Sequence, residues 1–309
     1  MIRFATTMPA KRARCKRAHC NRRGRLSTWL QAATVTLLAA ASGQAFAQAN
    51  NDAGGAIELV DPNVLRVCAD PNSLPYSNEA GAGFENKIAE LFAKKLGKSI
   101  TYTYYPNSTG FVRNTLNALR CDVIMGIPQG DDIVQSTNPY YRTSYVLVTK
   151  AGSDLEQVTN LADPKLKGRH IGIVAGTPPA TFLAVNGLIA DAKSYPLVVD
   201  TRYDAPSVDM MNDLRKGVID AAILWGPIGG YLAKTSPVPM HVALLVKESK
   251  GPRMVFRIGM GVRHTDQNWK RTLNRLIADN RTDIDKILRD YGVPLLDEND
   301  QPLPTEPQH

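Results

Sequence analysis

Clustered histidines, paired metal-binding motifs and long apolar runs are all missing from this 309-residue chain. Beyond residue 47 no segment reaches the roughly 18 apolar residues of a membrane-spanning helix. The histidines of that part are scattered, and no Cys-x-x-Cys motif occurs, so we predict no metal site. No Gly-x-Ser-x-Gly motif, phosphate-binding loop or poised acid–base pair is visible. We therefore expect a protein that is not membrane-embedded, with no catalytic residues and no cofactor.

The chain beyond residue 47, which is the part expected to fold, has no excess of basic residues. The whole chain has 37 Lys and Arg residues and 29 Asp and Glu residues. Nine of the basic residues and none of the acidic ones lie in residues 1–47, which leaves 28 basic against 29 acidic residues. Nucleic-acid binding requires excess positive charge on the folded domain. We expect no nucleic-acid partner.

The basic N-terminal segment has the layout of a secretory signal peptide. Its basic region ends at Arg25, an apolar run follows over about 29–41, and Ala45-Phe46-Ala47 matches the small-x-small pattern of signal peptidase. General secretion is favoured over twin-arginine export, although Arg22-Arg23 leaves the second route open. The sequence thus predicts a periplasmic protein that is exported by a cleavable signal, with a polar linker over 48–62.

The mature protein should begin at Gln48, because Ala45 and Ala47 place the small side chains where the peptidase needs them. Mass spectrometry of the periplasmic protein measures this directly. A retained residue 1 or a retained apolar run would contradict the prediction.

Helix and strand patterns alternate after residue 62 and predict an α/β fold. The first half has predicted strands and helices in the order 64–69, 85–96, 99–105, 111–119 and 122–127. The same order returns in the second half, with strands over 170–174, 197–199 and 220–224 around a helix from Pro178 and a helix over 206–216, on which Val208, Met211 and Leu214 are expected to face inward. Such βαβαβ units are typical of parallel sheets with helices on both faces.

Two extended segments, 138–150 and 252–263, connect the halves, and two predicted helices follow over 267–280 and 282–291. If both segments cross between the halves, the second half is inserted into the first. Lobe 1 then comprises 63–147 and 246–309, and lobe 2 comprises 148–245. The carboxyl ends of the strands of both lobes would face one cleft, where open α/β sheets bind ligands.

The order of these segments resembles the periplasmic solute-binding proteins of family 3, which receive amino acids for transporters. The resemblance covers 62–292 and is carried by "GFENKIAELFAKKLG", "STNPYYRTSYVLVT" and "GVIDAAIL". The stretches "CADPNSLPYSNEAGAGFENKIAELFA" and "ILWGPIGGYLA" resemble one branch, the J proteins (MxaJ and XoxJ type) that are associated with quinoprotein methanol dehydrogenases. The resemblance implies a periplasmic binding protein-like type II fold, with two parallel-sheet lobes joined by two crossover segments around a cleft.

The resemblance also implies a function. It favours a non-enzymatic accessory protein that assists the assembly or activation of a periplasmic PQQ-dependent methanol dehydrogenase. An apolar small molecule or the quinone is a further candidate occupant of the cleft. The alternative is the receptor of an ABC transporter for a small non-zwitterionic solute. An enzyme on the same fold, such as a small dehydratase, is weakened by the missing acid–base pair.

Two positions depart from the pattern of amino-acid receptors. Those receptors hold the α-carboxylate with an Arg located some nine residues before Pro-Tyr-Tyr, and this chain has Gly130 there, followed by Asp131 and Asp132. The Asp that holds the α-amine corresponds to Trp225, which a turn at Gly226-Pro227 is expected to present. A carboxylate ligand would meet like charge at the first position. Trp225 instead offers an aromatic anchor at the cleft rim, unless it is a core residue of lobe 2.

The candidate cleft residues lie at strand ends and helix starts. They are Asp70, Asn72, Tyr76, Phe84, Glu85, Gly126, Gln129, Tyr140, Thr177 and Trp225. Several have simpler structural explanations, since Asp and Asn favour turns and an acidic residue in a first helical turn complements the helix dipole. Tyr140 is favoured as hinge packing. Thr177 is expected to cap the helix from Pro178, whose free N–H groups could bind an anion.

Two cysteines, Cys68 and Cys121, remain beyond the predicted signal peptide. An even number of cysteines in a secreted chain favours a disulfide. The predicted strands argue against it, because Cys68 would lie near the end of one strand and Cys121 at the start of its parallel neighbour. Such positions are about 10 Å apart, beyond bridging distance. The sequence therefore leaves the pairing open.

Overall fold

The computed structural model describes residues 57–304, except positions 198, 202 and 249. The predicted signal peptide, its cleavage site after Ala47 and the new N-terminus at Gln48 lie outside the described residues. Within that part, no helix has both the length and the apolar character that crossing a membrane requires.

The first half of the described chain is a βα unit with a short hairpin after its first strand. Its elements are β1 Val64–Ala69, β2 Asn72–Ser73, β3 Ser77–Asn78, α1 Phe84–Leu96, β4 Ser99–Tyr104, α2 Phe111–Asn114, β5 Val123–Pro128, β6 Gln135–Ser136 and β7 Tyr141–Lys150. Strand β1 lies between β4 and β5 and is parallel to both. These three strands therefore have the parallel arrangement that the sequence predicts, while β12 joins β5 antiparallel and makes the sheet mixed.

The second half repeats the arrangement and returns to the first sheet. Its elements are β8 Ile171–Val174, α3 Pro178–Val185, β9 Lys193–Tyr195, α4 Pro206–Lys216, β10 Ala221–Trp225, α5 Gly226–Lys234, β11 Met240–Leu244, β12 Val255–Val262, α6 Gln267–Asp279 and α7 Arg281–Asp290. Short 3-10 turns occur at Pro164–Leu166 and Ile189–Asp191. The strand order is β4-β1-β5-β12-β7-β10-β8-β9, with β11 beside β7 and β6 beside β12.

Strand β7 joins the two sheets, each of which combines parallel and antiparallel strands, because it changes partner along its length. Its first residues, Tyr141 to Ser144, pair antiparallel with β12. From Tyr145 onward it pairs antiparallel with β10 on one side, and from Val146 with β11 on the other. Separate apolar clusters form on the two sides of this change, one around Phe84 and Phe92 and others around Ile171 and Met211. The lobe limits given above, at 147/148 and 245/246, remain a prediction.

The predicted helix over 111–119 is wrong beyond Asn114, where α2 ends after a single turn. The chain continues in turns, and Leu119 has a φ of 59° with 42% of its surface exposed. Phe111, Thr115 and Leu116 are nevertheless buried. The local sequence explains the short helix, since Asn114, Thr115 and Asn117 are poor helix formers that favour turns.

Two details of the second half also differ from prediction. The strand expected at 197–199 lies earlier, at Lys193–Tyr195, and Leu197 is 55% exposed. Pro196 follows the strand directly and has no N–H to offer a ladder. On α4 the buried residues are Met210, Met211 and Leu214, while Val208, expected to face inward, is 41% exposed.

The turn predicted at Gly226-Pro227 is the first turn of α5. A proline is accepted there because the first N–H groups of a helix have no partner within it. Gly226 lies so close to β7 that a Cβ atom would be 2.4 Å from the Ser144 carbonyl oxygen. The helix is thus fixed against β7 directly after Trp225.

Cys68 and Cys121 form a disulfide, with a Cα–Cα distance of 5.4 Å. The separation expected from the strand positions, about 10 Å, is therefore wrong. The expectation treated Cys121 as the start of a strand, but β5 begins only at Val123. The preceding chain packs over the sheet with Phe111 and Leu116, in the cluster that also holds Cys68. The bond links the end of β1 to the turn before β5.

Candidate functional site

Trp225, the last residue of β10, stands between two cavities and lines both. Its partly buried indole packs against Tyr145 and Phe256, with ring centroids 5.2 and 5.4 Å apart. Backbone pairing with Tyr145 and the start of α5 at Gly226 hold it in place. The side chain is thus part of the wall that separates the cavities.

The smaller space, here called the inner cavity, has a volume of about 220 Å³. Polar groups come from the hairpin after β1, from the first turn of α1 and from the segment after β4. Its main lining residues are Asp70, Ser73, Tyr76, Ser77, Glu85 and Asn107, with the rings of Phe111, Tyr141 and Trp225. The only charged side chains among them are two carboxyl groups.

The carboxylate of Asp70 is fully occupied by hydrogen bonds. It accepts from the backbone N–H of Asn72 at 2.8 Å and of Asn107 at 2.6 Å. The hydroxyl of Thr201, more than 130 positions away, donates to both of its oxygens at 3.1 and 3.0 Å. Asn72 Nδ2 in turn donates to the Thr201 carbonyl at 2.8 Å. Asp70 and Asn72 therefore fasten the loop before α4 to the hairpin after β1.

The carboxyl group of Glu85 has a different environment. The backbone N–H of Glu85 donates to the Tyr76 carbonyl at 2.9 Å. None of the described residues donates a hydrogen bond to the Glu85 carboxyl group. Burial, and secondarily the charge of Asp70, raise the pKa of Glu85 to about 8. The group reaches over Gly126, where a Cβ atom would be 2.2 Å from Glu85 Oε1. A glycine at position 126 makes room for this carboxyl.

The larger space, here called the outer groove, has a volume of about 670 Å³. Apolar and aromatic side chains dominate its walls, among them Leu74, Tyr145, Val174, Leu197, Val199, Val208, Ile228, Tyr231 and Phe256. Asp204 is the one charged residue among its described lining residues. The described walls of the groove are therefore suited mainly to an apolar surface.

Seven of the ten predicted cleft residues line one of these spaces. The inner cavity receives Asp70, Tyr76, Glu85, Gly126 and Trp225, and the outer groove receives Asn72, Thr177 and Trp225. The remaining three line neither space. Phe84 and Tyr140 are fully buried in the core, and Gln129 Nε2 donates to the Thr137 carbonyl at 3.1 Å.

Thr177 occupies the predicted N-cap position of α3 but does not cap with its side chain. Its hydroxyl donates to the Val174 carbonyl at 2.7 Å. The first turn of α3 carries Pro178 and Pro179, which have no N–H to offer, so this helix start has fewer donors for an anion than the sequence prediction assumed.

Sequence reasoning missed Thr201, Tyr145 and Phe256. Tyr145 and Phe256 lie in the two extended segments that connect the halves, and their position as aromatic residues on these segments was the available signal. Thr201 had no signal, because its contact with Asp70 joins parts of the chain 131 positions apart.

The two-sheet α/β fold, with the inner cavity and the outer groove at the strand ends, is the architecture of a solute-binding protein. The chain belongs to the bacterial extracellular solute-binding proteins, family 3, whose model matches residues 65–294. It is 30% identical to protein MoxJ of Methylorubrum extorquens over 285 residues. The aligned residues cover 85% of this chain and 93% of MoxJ. The periplasmic binding protein XoxJ of Methylobacterium extorquens AM1 has a similar crystal structure, with 42% identity, a TM-score of 0.65, and coverage of 76% of this chain and 100% of XoxJ.

A more distant relative is the histidine-binding periplasmic protein of Escherichia coli K12. It is 24% identical over 252 residues, which cover 74% of this chain and 88% of the relative. These comparisons confirm the predicted family, the resemblance to the J proteins and the periplasmic binding protein-like type II fold.

Free amino acids should leave the melting temperature of this protein unchanged. Gly130 offers no side chain to an α-carboxylate, and no described basic residue lines either space. A ligand at a hundredfold excess over its Kd would add about 2.7 kcal/mol of stability, a shift of several degrees. A thermal-shift screen of the common amino acids tests this, with the Escherichia coli histidine-binding protein and histidine as the positive control. A rise of several degrees with any of them would refute the prediction.

Proposed function

We propose that this protein is a non-enzymatic periplasmic accessory protein that binds a PQQ-dependent methanol dehydrogenase and assists its assembly or activation. The observation that carries the proposal is the likeness to MoxJ and XoxJ over nearly their whole length. The association of the J-protein branch with quinoprotein methanol dehydrogenases, which the sequence resemblance implies, supplies the partner.

The outer groove is the surface that we assign to this partner. Leu74, Leu197 and Val208 line it and are 40%, 55% and 41% exposed. Exposed apolar side chains gathered around one opening mark an interaction site more often than isolated ones do. Trp225 lies in the same wall and supplies the kind of aromatic anchor that dominates protein interfaces.

The other occupants named above are less well supported. The carboxylates of the quinone would find no described basic residue in the groove. A transporter receptor would use the same fold, but the ionic contacts that hold amino acids in such receptors are replaced at Gly130 and Trp225. We therefore assign the groove to a polypeptide surface of the dehydrogenase.

Affinity capture from the periplasm of the native host tests the proposal. The tagged protein should recover a quinoprotein dehydrogenase subunit, identified by mass spectrometry, at near-stoichiometric amount. Val185 is 73% exposed and does not line the groove. The variant Val185→Ala is therefore the surface control for changes at Trp225 in the groove wall. Recovery of membrane permease components without any dehydrogenase would support the transporter alternative and overturn the proposal.

A further inference from the structure

We propose that the inner cavity binds a small organic cation, such as a primary alkylammonium ion, with the Glu85 carboxylate as its counter-ion. The inference does not depend on the proposed partner of the outer groove. It rests on a carboxyl group without a hydrogen-bond donor, on aromatic rings around the same space, and on the volume and charge of the cavity.

The first support is the contrast between the two carboxyl groups of the cavity. Asp70 accepts hydrogen bonds from the loops around it and is satisfied by the protein. Glu85 is held over Gly126 and is less enclosed than Asp70, yet no described residue donates to it. Glu85 therefore offers the cavity an acceptor that no described residue uses, and a ligand with a donor group can pair with it there.

The second support is the aromatic lining. Tyr76, Tyr141 and Trp225 border the space into which Glu85 reaches, together with Phe111. Aromatic faces attract ammonium groups through their quadrupoles, most strongly in desolvated surroundings. A carboxylate combined with several aromatic walls is suited to an organic cation, because the rings contact its alkyl part and the carboxylate pairs with its charge.

Volume and charge narrow the ligand class further. At about 220 Å³ the cavity is smaller than the roughly 300–1,000 Å³ of pockets for drug-sized ligands. No Lys, Arg or His is found among its described lining residues. An anion or a zwitterionic amino acid would place a carboxylate near Asp70 and Glu85, so a small ligand with positive charge only is favoured.

The affinity should depend on pH in a defined direction. The titratable groups that face Glu85 are Asp70 after β1, Tyr76 in the following loop, and Tyr140 and Tyr141 at the start of β7. Burial raises the pKa values of the three tyrosines well above their usual value, so they stay neutral. With the pKa of Glu85 at about 8, the carboxyl is mostly protonated at pH 6 and ionised at pH 9. Cation affinity should therefore rise up to about tenfold per pH unit below pH 8 and level off above it.

Calorimetric titration of the mature protein with methylammonium and ethylammonium chloride at pH 6, 7, 8 and 9 tests the proposal. Sodium chloride at equal ionic strength corrects for screening, and methanol and ethanol serve as uncharged ligands of the same size. We expect saturable binding of the ammonium ions that strengthens toward pH 8 and weak or no binding of the alcohols. Absence of binding at every pH, or equal binding of the alcohols, would overturn the proposal.

Variants locate the site. Glu85→Gln keeps the shape of the side chain and should lower the ammonium affinity at least tenfold while abolishing its pH dependence. Gly126→Ala places a methyl group against Glu85 Oε1 and should also weaken binding. Glu90→Gln, on the exposed side of the same helix, where Glu90 pairs with Lys87, is the matched control and should bind as the unmodified protein does. Unchanged binding in Glu85→Gln would contradict the assignment. Dehydrogenase capture is measured separately, so either proposal can fail alone.

Discussion

Replacing both Cys68 and Cys121 by alanine should lower the free energy of unfolding by about 4 kcal/mol. The disulfide joins residues 53 positions apart, and a cross-link over such a loop restricts the unfolded chain. Both side chains are at most 1% exposed, so alanine avoids leaving an unpaired hydroxyl in the core. Denaturant unfolding of the oxidised protein and of the double variant measures the difference.

The single variants Cys68→Ala and Cys121→Ala serve as controls. Each removes the same bond, so each should lose nearly as much stability as the double variant does. A thiol assay on unfolded periplasmic protein should find no free cysteine. A loss below about 1 kcal/mol in the double variant, outside the usual range for removing a native disulfide, would show that the bond contributes little.

Trp225→Ala should weaken dehydrogenase binding by about 2 kcal/mol or more, which is about 30-fold in Kd. The indole supplies the aromatic wall between the outer groove and the inner cavity and packs on Tyr145 and Phe256. Because the side chain is only partly buried, its loss should cost less than the roughly 3–5 kcal/mol of a fully buried aromatic residue. Binding assays and denaturant unfolding of the same variant measure the two effects.

Trp225→Phe and Val185→Ala are the comparisons for this experiment. Phenylalanine keeps an aromatic ring and should restore part of the affinity, while Val185→Ala should change neither measurement. A stability loss of about 3–5 kcal/mol would identify Trp225 as a core residue. If Trp225→Ala changed neither binding nor stability, the anchoring role would be wrong.

Regular periodicity made much of the fold predictable. Strand β1 was predicted with the bounds that the structure has, and α1 begins one residue earlier than predicted. Glycines in the left-handed conformation end α1 and α4 at Gly97 and Gly217, as glycine does at many helix ends. Such local signals do not depend on the rest of the chain.

Helix α5 shows why other elements escaped prediction. Its sequence, GPIGGYLAK, contains three glycines and a proline, a composition that disfavours a helix. The structure places these glycines against other backbone and side chains, and a Cβ atom at Gly230 would lie 2.0 Å from the Gly292 carbonyl oxygen. Close packing therefore imposes the helix, and a reading of local propensity cannot detect that.

The candidate site divides in the same way. Residues at strand ends and helix starts, such as Asp70, Glu85 and Trp225, could be found because parallel strands gather their carboxyl ends at one edge. The contact of Asp70 with Thr201 and the disulfide depend on how distant segments lie in space. The sequence also could not show that Glu85 occupies the space that a side chain at position 126 would take.

The shared wall at Trp225 has a thermodynamic consequence. Because one side chain borders both spaces, a ligand that shifts the indole from one side alters the surface presented on the other. Any coupling of this kind is reciprocal. If a cation in the inner cavity changes the affinity of the outer groove for its occupant by some factor, the occupant changes the affinity of the cavity for the cation by the same factor. If both proposals hold, the aromatic residue at the end of β10 would couple cation binding in the inner cavity to partner binding in the outer groove.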